Sequence, residues 1–260
     1  MTRWRLAPAA LLACSGCVVI DAPETIEELV VFGFQNHTEG PAYREAFGDG
    51  LLPLLEERWE ELVEGYKVDN LDASHLEAVG VDNPSTETII GALGTAPYSH
   101  SLQDVVWGIT YPEKDEVFDN FEEYEIVEDT DRDCFVAGEC ESYTQTVRQT
   151  VSVPLVSTAA STQSKDHRWV QGPDGTRYVI GRTLIPEPLV LGSTTLVAIH
   201  QQYDIFLLYD RAGVTTRVET VWIDATFLDS ALPDDFLVGQ AVRGMTSGAE
   251  RIDELIEAER

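Results

Sequence analysis

The sequence is poor in basic residues, and above all in lysine. Its 260 residues include 17 Lys and Arg against 46 Asp and Glu, which gives a formal net charge of −29. The lysines are Lys67, Lys114 and Lys165. Proteins that bind nucleic acid concentrate basic residues against phosphate groups, so nucleic acid is excluded as the main partner. Anionic membrane surfaces repel a body of this charge as well.

Motifs of the common catalytic sites are also missing from the sequence. There is no Gly-x-Ser-x-Gly turn, no His-Glu-x-x-His pair and no glycine-rich phosphate loop. These motifs mark serine hydrolases, zinc peptidases and nucleotide-binding enzymes. We therefore predict a protein that is not an enzyme and has no cofactor. The alternative is a hydrolytic site assembled across the fold from His200 with Asp204 or Asp224, which a sequence does not reveal.

Long apolar runs are absent, and the run at residues 6–13 is too short to span a bilayer. Arg3 and Arg5 precede this run, and small residues follow it, which is typical of a signal peptide. The segment after the run, Cys14-Ser15-Gly16-Cys17, resembles the lipobox of bacterial lipoproteins. This resemblance implies an exported protein that an N-terminal lipid holds at the cell envelope, at the outer membrane, where it faces either the periplasm or the cell surface.

The cysteines favour one of two lipid attachment sites. If Cys17 is the first residue of the mature chain, Cys14 leaves with the signal peptide, and Cys134 and Cys140 can form a disulfide bond. If Cys14 carries the lipid, Cys17 remains as an odd thiol in an oxidising compartment. We take Cys17 as the lipid attachment site, with Cys14 as the alternative, and predict a disulfide between Cys134 and Cys140.

Helical spacing dominates the first part of the mature chain. After a tether at residues 18–23, apolar residues recur every three or four positions, most clearly from Leu52 to Tyr66, where glutamates occupy the other side. We interpret residues 24–79 as an N-terminal helical segment. A further short helix is predicted over residues 102–109.

Residues 113–141 are strongly acidic. They contain three alternating aspartates, Asp129, Asp131 and Asp133. This alternation resembles the start of an EF-hand loop, but Cys134 stands where the loop needs glycine, and Cys140 where it needs glutamate. We therefore predict a solvated acidic loop without a metal site, closed at its tip by the disulfide. Calcium bound by the three aspartates is the weaker alternative.

The second half of the chain changes to a period of two, which is typical of strands. The predicted strands are 147–153, 166–171, 176–184, 195–209 and 214–224. Gly172-Pro173-Asp174-Gly175 joins two of them, and proline and glycine are favoured in such a turn. Consecutive strands with short connections predict an antiparallel meander.

Helical spacing returns near Pro233 and continues to the C-terminus. Gly244 and Gly248 fall on the apolar stripe of this helix. A glycine inside a helix costs about 1 kcal/mol relative to alanine, so its position needs a physical reason. We expect a close approach of the helix to the sheet, and contact with a ligand is the alternative.

This order of elements resembles the START-like (SRPBCC) helix-grip superfamily. The resemblance is carried by residues 147–154 with 166–170, and by Thr220-Val221-Trp222-Ile223-Asp224 before Leu232-Pro233 and the last helix. It implies an α+β fold in which an antiparallel sheet surrounds a long C-terminal helix, preceded by an N-terminal helical segment. The implied organisation is a signal peptide at 1–17, a tether at 18–23, helices at 24–79 and a START-like domain at 80–260.

The resemblance further implies a cavity that binds or carries a hydrophobic, lipid-like small molecule. The expected lining residues are Trp169, Tyr178, Tyr203, Phe206, Trp222, Met245, Gly244 and Gly248. One of four strand arginines, if it turned inward, would meet an acidic group of the ligand. The four are Arg148, Arg168, Arg182 and Arg217. The alternative is an interaction or scaffold lipoprotein with a filled cavity, whose acidic surface faces a protein partner that the sequence does not identify.

Overall fold

The computed structural model describes residues 20–153, 157–172, 174–192, 197–227, 230–231 and 233–260. The predicted signal peptide, with Cys14 and Cys17, lies outside the described residues, as does Pro173. Within those ranges, none of the helices combines the length and the apolar character needed to cross a lipid bilayer.

Helices form three groups along the chain. They are α1 (Ile26–Asn36), α2 (Pro41–Glu57), α3 (Trp59–Glu64), α4 (Ala73–Ala78), α5 (Leu102–Ile109), α6 (Lys114–Val117), α7 (Arg132–Val136) and α8 (Asp234–Glu259). The strands are β1 (Tyr66–Val68), β2 (Ile89–Tyr98), β3 (Phe121–Asp129), β4 (Ser142–Val153), β5 (Ser157–Gln171), β6 (Arg177–Ile185), β7 (Val190–Leu191), β8 (Val197–Arg211), β9 (Val214–Phe227) and β10 (Ser230–Ala231).

The strands form one antiparallel sheet in the order β1-β2-β9-β8-β6-β5-β4-β3, with β10 beside β9 and β7 beside β5. The long helix α8 packs along β2 and against α5. The predicted α+β class, an antiparallel sheet with a long C-terminal helix and helices before it, is therefore confirmed. Both predicted hairpins are present, and the β8–β9 turn uses positive φ at Ala212 (53°) and Gly213 (86°), as tight hairpin turns require.

Helices α1 to α4 cover one side of the sheet, which we call the outer face. Phe34 of α1 packs against Tyr203 and Trp222, with ring centroids 6.0 and 5.3 Å apart. The hydroxyl of Tyr178 lies so close to Gly48 of α2 that a Cβ there would overlap it. The N-terminal segment is therefore part of the same core as the sheet, and β1 extends the sheet beside β2.

A buried polar contact joins the outer helices to the sheet. His37, just after α1, lies 3.1 Å from Asp166 Oδ1, and Arg168 Nε donates to the same carboxylate at 2.5 Å. Arg182 Nη1 donates to the carbonyl oxygen of Phe34 at 2.9 Å. Burial lowers the pKa of His37, although Asp166 opposes this shift.

Helices α5 to α8 cover the other side of the sheet, which we call the inner face. Successive residues of a strand point to opposite faces. In β8, Leu207 accordingly belongs to the outer core, whereas Phe206 and Leu208 pack with Ile252 and Leu255 of α8. Both faces of the sheet are therefore covered by helices.

The acidic segment differs from its prediction as a solvated loop. Residues 121–129 form the edge strand β3, which pairs with β4, and residues 132–136 form α7. Tyr124 of β3 is buried, whereas Glu123 and Glu125 are exposed on either side of it. Charged residues are common on edge strands because they discourage pairing with other chains. The prediction of a loop was wrong because β3 is covered on one side only. Most of its side chains are therefore exposed and acidic, and the sequence lacks the apolar alternation that identifies a strand.

Candidate functional site

A cavity lies between the inner face of the sheet and α8. One part, of about 300 Å³, reaches from α6 and β5 to Gly248 of α8. A second space of about 340 Å³ continues beside it, below Gly244 and Met245. Both parts are lined by Gln202, Arg217 and Gly248. We call the two parts together the helix-grip cavity.

Strand pairing brings the polar groups of the cavity floor into one row. Lys165 of β5 pairs with Thr183 of β6, which in turn pairs with Asp204 of β8. Side chains of directly paired residues lie on the same face of a sheet, so these three share the inner face. The next row along the same strands contains His167, Gly181, Phe206 and Glu219.

The cavity is lined by two of the chain's lysines. Lys114 Nζ donates to the carbonyl oxygen of Ile109 at 2.9 Å, whereas Lys165 Nζ makes no hydrogen bond to the described part of the chain. Both ammonium groups lie near the ring of Tyr124, at 5.5 and 5.7 Å from its centroid. Burial lowers the pKa of Lys165 to about 8 and holds that of Lys114 well below its usual range.

Acidic groups stand opposite these cations. Arg217 Nη2 donates to Glu219 Oε1 at 2.6 Å, and its guanidinium lies 4.2 Å from the centroid of the Phe206 ring. Burial raises the pKa of Glu219 to about 7, and the charge of Arg217 opposes this rise. Burial also raises the pKa of Asp204. The cavity therefore holds one acid, Glu219, and one base, Lys165, whose pKa values lie near neutral pH.

Several polar atoms around the cavity have no partner among the described residues. Both ring nitrogens of His167, which is 3% exposed, are unpaired, as are Oδ1 of Asp204 and Oδ1 of Asn120. Burial lowers the pKa of His167 to about 3, so its ring is neutral at pH 7. Each buried unpaired group costs about 1 to 3 kcal/mol, which a bound molecule with matching polar atoms would recover.

Apolar side chains form the rest of the wall. They are Ile109, Phe118, Phe121, Ile185, Phe206 and Ile252. The cavity is therefore amphipathic, with aromatic and aliphatic walls above a charged floor, rather than uniformly apolar. Most ligand sites combine such walls with a few placed polar groups.

The predicted lining residues divide between the two faces. Phe206, Met245, Gly244 and Gly248 line the helix-grip cavity. Trp169 is also on the inner face but lies under α7, where its Nε1 donates to the carbonyl oxygen of Phe135 at 2.9 Å.

Tyr178, Tyr203 and Trp222 do not line the cavity, and the expectation for these three residues is corrected. They lie in the outer core against the N-terminal helices. They were expected as cavity walls because they are aromatic residues in strands, but the alternation of side chains along each strand places them on the other face.

The glycines of α8 face open space at the mouth of the cavity. A Cβ built on Gly244 or Gly248 meets no atom within 4 Å, so the expected close approach does not occur at either residue. The close approach is made by a strand glycine, because a Cβ on Gly94 of β2 would lie 3.1 Å from Met245 Sδ. The alternative, a role toward a ligand, fits the position of Gly244 and Gly248 better.

Among the four strand arginines, Arg217 is the one that turns into the cavity. Arg182 lies toward α1, and Arg168 is bound to Asp166. Arg148 forms an exposed ion pair with Glu125. Arg217 is therefore the strand arginine whose position would allow contact with an acidic group of a ligand.

The acidic tip has no metal-binding arrangement. Cys134 and Cys140 are joined by a disulfide. Asp131 Oδ1 accepts a hydrogen bond from the Cys134 amide at 3.0 Å and so caps α7, and Asp129 lies 3.4 Å from the Tyr143 hydroxyl. Asp133 is beside Arg132. In the described ranges, no group of three or more His, Cys, Asp or Glu residues could hold a metal ion.

The structure separates the residues of the alternative hydrolytic site. His200 Nε2 lies 3.3 Å from Thr226 Oγ1, whereas Asp204 lines the cavity. Asp224 accepts a hydrogen bond from Thr88 at the far end of β2. In the described part of the chain, no hydrogen bond joins any two of these three residues.

A second cleft, of about 490 Å³, lies beside the disulfide. Its two arginines have partners: Arg44 binds Glu141, and Arg177 stacks over Trp169 at 4.3 Å. Among the residues that line this cleft, Arg44 Nε is the one buried polar side-chain atom without a partner in the described part of the chain. The helix-grip cavity has more unpaired buried groups and is therefore the candidate site.

Sequence reasoning did not identify Lys114, Lys165, His167 or Glu219 as site residues. The rarity of lysine is a signal that the sequence does contain. The chain has three lysines, and each could have been considered as a candidate for binding an acidic ligand. Lys165 was missed because the predicted strand began one residue later, at 166, whereas β5 begins at Ser157.

Fold and site together define a helix-grip protein with a partly polar internal cavity. No protein-family model and no curated protein matches the chain. Solved structures do resemble it. A START superfamily protein from Mycobacterium smegmatis is 8% identical, with a TM-score of 0.40, and the match covers 65% of this chain and 99% of that one.

Two further similar structures are lipid transfer proteins by name. Human StAR-related lipid transfer protein 5 is 12% identical, with a TM-score of 0.39, over 81% of this chain and 95% of that one. A STAR-related lipid transfer protein fragment from Xanthomonas axonopodis is 14% identical, with a TM-score of 0.39. The match covers 66% of this chain and 96% of that one.

Proposed function

We propose that the chain binds a small amphipathic molecule with an acidic group in the helix-grip cavity. The observation that carries the proposal is the placement of Lys114, Lys165 and Arg217 in one cavity of a protein with a net charge of −29. The acidic group of the ligand contacts these cations. Its apolar part packs against the aromatic and aliphatic wall.

Burial supports this assignment. Lys165 and Arg217 are partly buried, and a cation partly removed from water destabilises the fold unless a partner compensates for it. Arg217 has Glu219 as its partner, but Lys165 has only the more distant Asp204, whose own pKa is raised by burial. A carboxylate or phosphate group supplied by a ligand would provide the missing partner.

The shape of the site supports an amphipathic ligand. A chain of about ten carbons is compatible with a cavity of this size, and pockets of about 300 Å³ and above are typical of small-molecule sites. The alternative of a scaffold with a filled cavity agrees less well with the structure, because the described side chains leave this space open.

The test compares decanoate with decanol, which has the same chain length and no charge. We expect decanoate to bind and decanol to bind at least ten-fold more weakly in isothermal titration calorimetry. Lys165→Met should weaken decanoate binding about ten-fold. Lys67→Met is the matched control, because Lys67 is exposed and pairs with Asp234 outside the cavity. Equal binding of decanoate and decanol would contradict the proposal.

We also propose that the chain is exported and lipid-anchored through Cys17, with Cys14 as the alternative. The sequence of residues 1–17 supports this part of the proposal. Cys17→Ser should release the protein from membranes and abolish incorporation of labelled fatty acid. Loss of labelling in Cys14→Ser alone would assign the lipid to Cys14, and labelling of neither residue would contradict anchoring.

A further inference from the structure

We propose that Lys165 is a reactive amine, which forms an imine with the carbonyl group of an oxo acid bound in the helix-grip cavity. The inference rests on the proposed function, because the carboxylate of the oxo acid would occupy the same cationic site. It goes further by assigning covalent chemistry to one residue and a ligand class to the cavity.

The position of Lys165 differs from that of an ordinary surface lysine. Its side chain lines the cavity, and its Nζ makes no hydrogen bond to the described residues. Lys114 approaches the same Tyr124 ring from α6 and repels a second positive charge there. A lysine becomes nucleophilic when burial and a neighbouring cation favour its neutral form.

Other charged groups surround the Lys165 amine. Those that line the cavity with it are Lys114 from α6, His167 from β5, Asp204 from β8, Arg217 from β9 and Arg251 from α8. The cations outnumber the acid in this set, and Glu219 is already paired with Arg217. Burial lowers the pKa of Lys165 to about 8, while the charge of Asp204 opposes this shift and that of Arg217 adds to it, so a substantial fraction of the amine is neutral in mildly alkaline solution.

Asp204 can supply and accept the protons of the reaction. It lies in the same cross-strand row as Lys165, two strands away, with Thr183 between them. Two strand spacings place the two Cα atoms about 10 Å apart, a gap that the lysine side chain and a bound carbonyl group can span. Its Oδ1 is buried and has no partner among the described residues.

The reaction involves no oxidation or reduction. The neutral Nζ attacks the carbonyl carbon, a C–N bond forms, and the protonated Asp204 carboxyl transfers its proton to the carbonyl oxygen. The resulting carbinolamine loses one proton from nitrogen to the Asp204 carboxylate. Its hydroxyl group takes this proton back from Asp204 and leaves as water, which gives a protonated C=N bond. The proton on that nitrogen then passes to the Asp204 carboxylate. Amine and carbonyl are thereby converted to imine and water.

The probe is 2-oxodecanoate, in which the carbonyl is adjacent to the carboxylate, so Arg217 and Lys114 can hold the acid while Lys165 reaches the carbonyl carbon. The full chain is incubated with the probe and sodium cyanoborohydride at pH 8, and the reduced adduct is mapped by mass spectrometry. We expect one adduct, on Lys165, which is lost in Lys165→Arg and retained in Lys67→Arg. An excess of decanoate should suppress it.

Decanoate binding separates the failure of this inference from failure of the proposed function. If decanoate binds but Lys165 is not modified, or if Lys67 is modified before Lys165, the imine is refuted and the binding site stands. If neither compound binds, both are refuted. Decanoate binding by Lys165→Arg, together with an unchanged melting temperature, shows that loss of the adduct in this variant is not caused by unfolding.

Discussion

The ammonium groups of Lys114 and Lys165 lie over the ring of one residue, Tyr124, at 5.5 and 5.7 Å from its centroid. The two lysines come from different parts of the chain, the short helix α6 and the long strand β5. The edge strand β3 brings Tyr124 between them. Like charges held near one ring are costly to maintain, and this cost is the physical basis of the proposed acidic ligand.

Filling the cavity mouth should block the site without harming the fold. Gly248→Leu places a side chain in the space that a Cβ enters without contact, so we expect decanoate affinity to fall at least ten-fold. The melting temperature should stay the same or rise, since replacing glycine within a helix contributes up to about 1 kcal/mol. Calorimetry and a thermal melt measure the two effects.

Gly239→Leu is the control for that variant. Gly239 is in the same helix but lines neither part of the cavity. It should give a similar gain in stability with unchanged decanoate affinity. Equal loss of affinity in both variants would mean that the binding site lies elsewhere.

Acid should destabilise the protein through two buried histidines. Burial lowers the pKa of both His37 and His167 below the unfolded value of 6.5. The unfolded state therefore binds more protons, so the free energy of unfolding falls as the pH decreases below about 6.5. Each histidine contributes a slope of up to about 1.4 kcal/mol per pH unit.

The variant His167→Phe tests this pH dependence. Phenylalanine fits among Phe135, Tyr143 and Phe206, whose rings lie 5.7 to 6.3 Å from the His167 ring. Urea unfolding at pH 7, 6 and 5 should show about half the wild-type slope, because His37 remains. An unchanged slope would mean that His167 titrates alike in both states.

Arg217 and Glu219 should behave as one unit. Arg217→Met leaves the Glu219 carboxylate buried without its partner, and we expect a loss of about 3 kcal/mol in the free energy of unfolding. The double variant Arg217→Met, Glu219→Gln should lose less than the single variant. Strictly additive effects of the two substitutions in a double-mutant cycle would exclude the coupling.

The disulfide should stabilise the tip of the inner face. Replacing Cys134 and Cys140 with serine opens a short loop, and we expect a loss of about 2 kcal/mol, measured by chemical denaturation. Fluorescence of Trp169 should shift, because its indole donates to Phe135 inside the loop. A reductant should lower the free energy of unfolding of the wild type by the same amount. It should have no effect on the variant in which Cys134 and Cys140 are both serine.

The sequence predicted the helix-grip order well because the relevant signals are local. The predicted strands, which are parts of β4, β5, β6, β8 and β9, alternate or flank turns, and α5 begins and ends at the predicted residues 102–109. Strand β2 was not predicted, because helices cover both of its faces and its residues 89–96 are buried without alternation. A continuous buried run of this kind has no period that distinguishes it from a helix.

The residues that line the cavity were harder to predict from the sequence than the presence of a cavity. Which strand residues face inward depends on register, and a shift of one residue exchanges the two faces. Aromatic content alone therefore selected Tyr203 and Trp222, which face outward. The inward positions of Lys165 and Asp204 follow only once the pairing of β5, β6 and β8 is known.

Helices α1 to α4 cover the outer face of the sheet, so a fragment without these helices would expose that face to water. A fragment that began at Gly80 would leave Tyr178, Tyr203 and Trp222 exposed to water. Such a large apolar surface promotes aggregation. We therefore expect that residues 80–260 alone would aggregate, and that limited proteolysis which removed the first helices would yield an insoluble product rather than a smaller binding module.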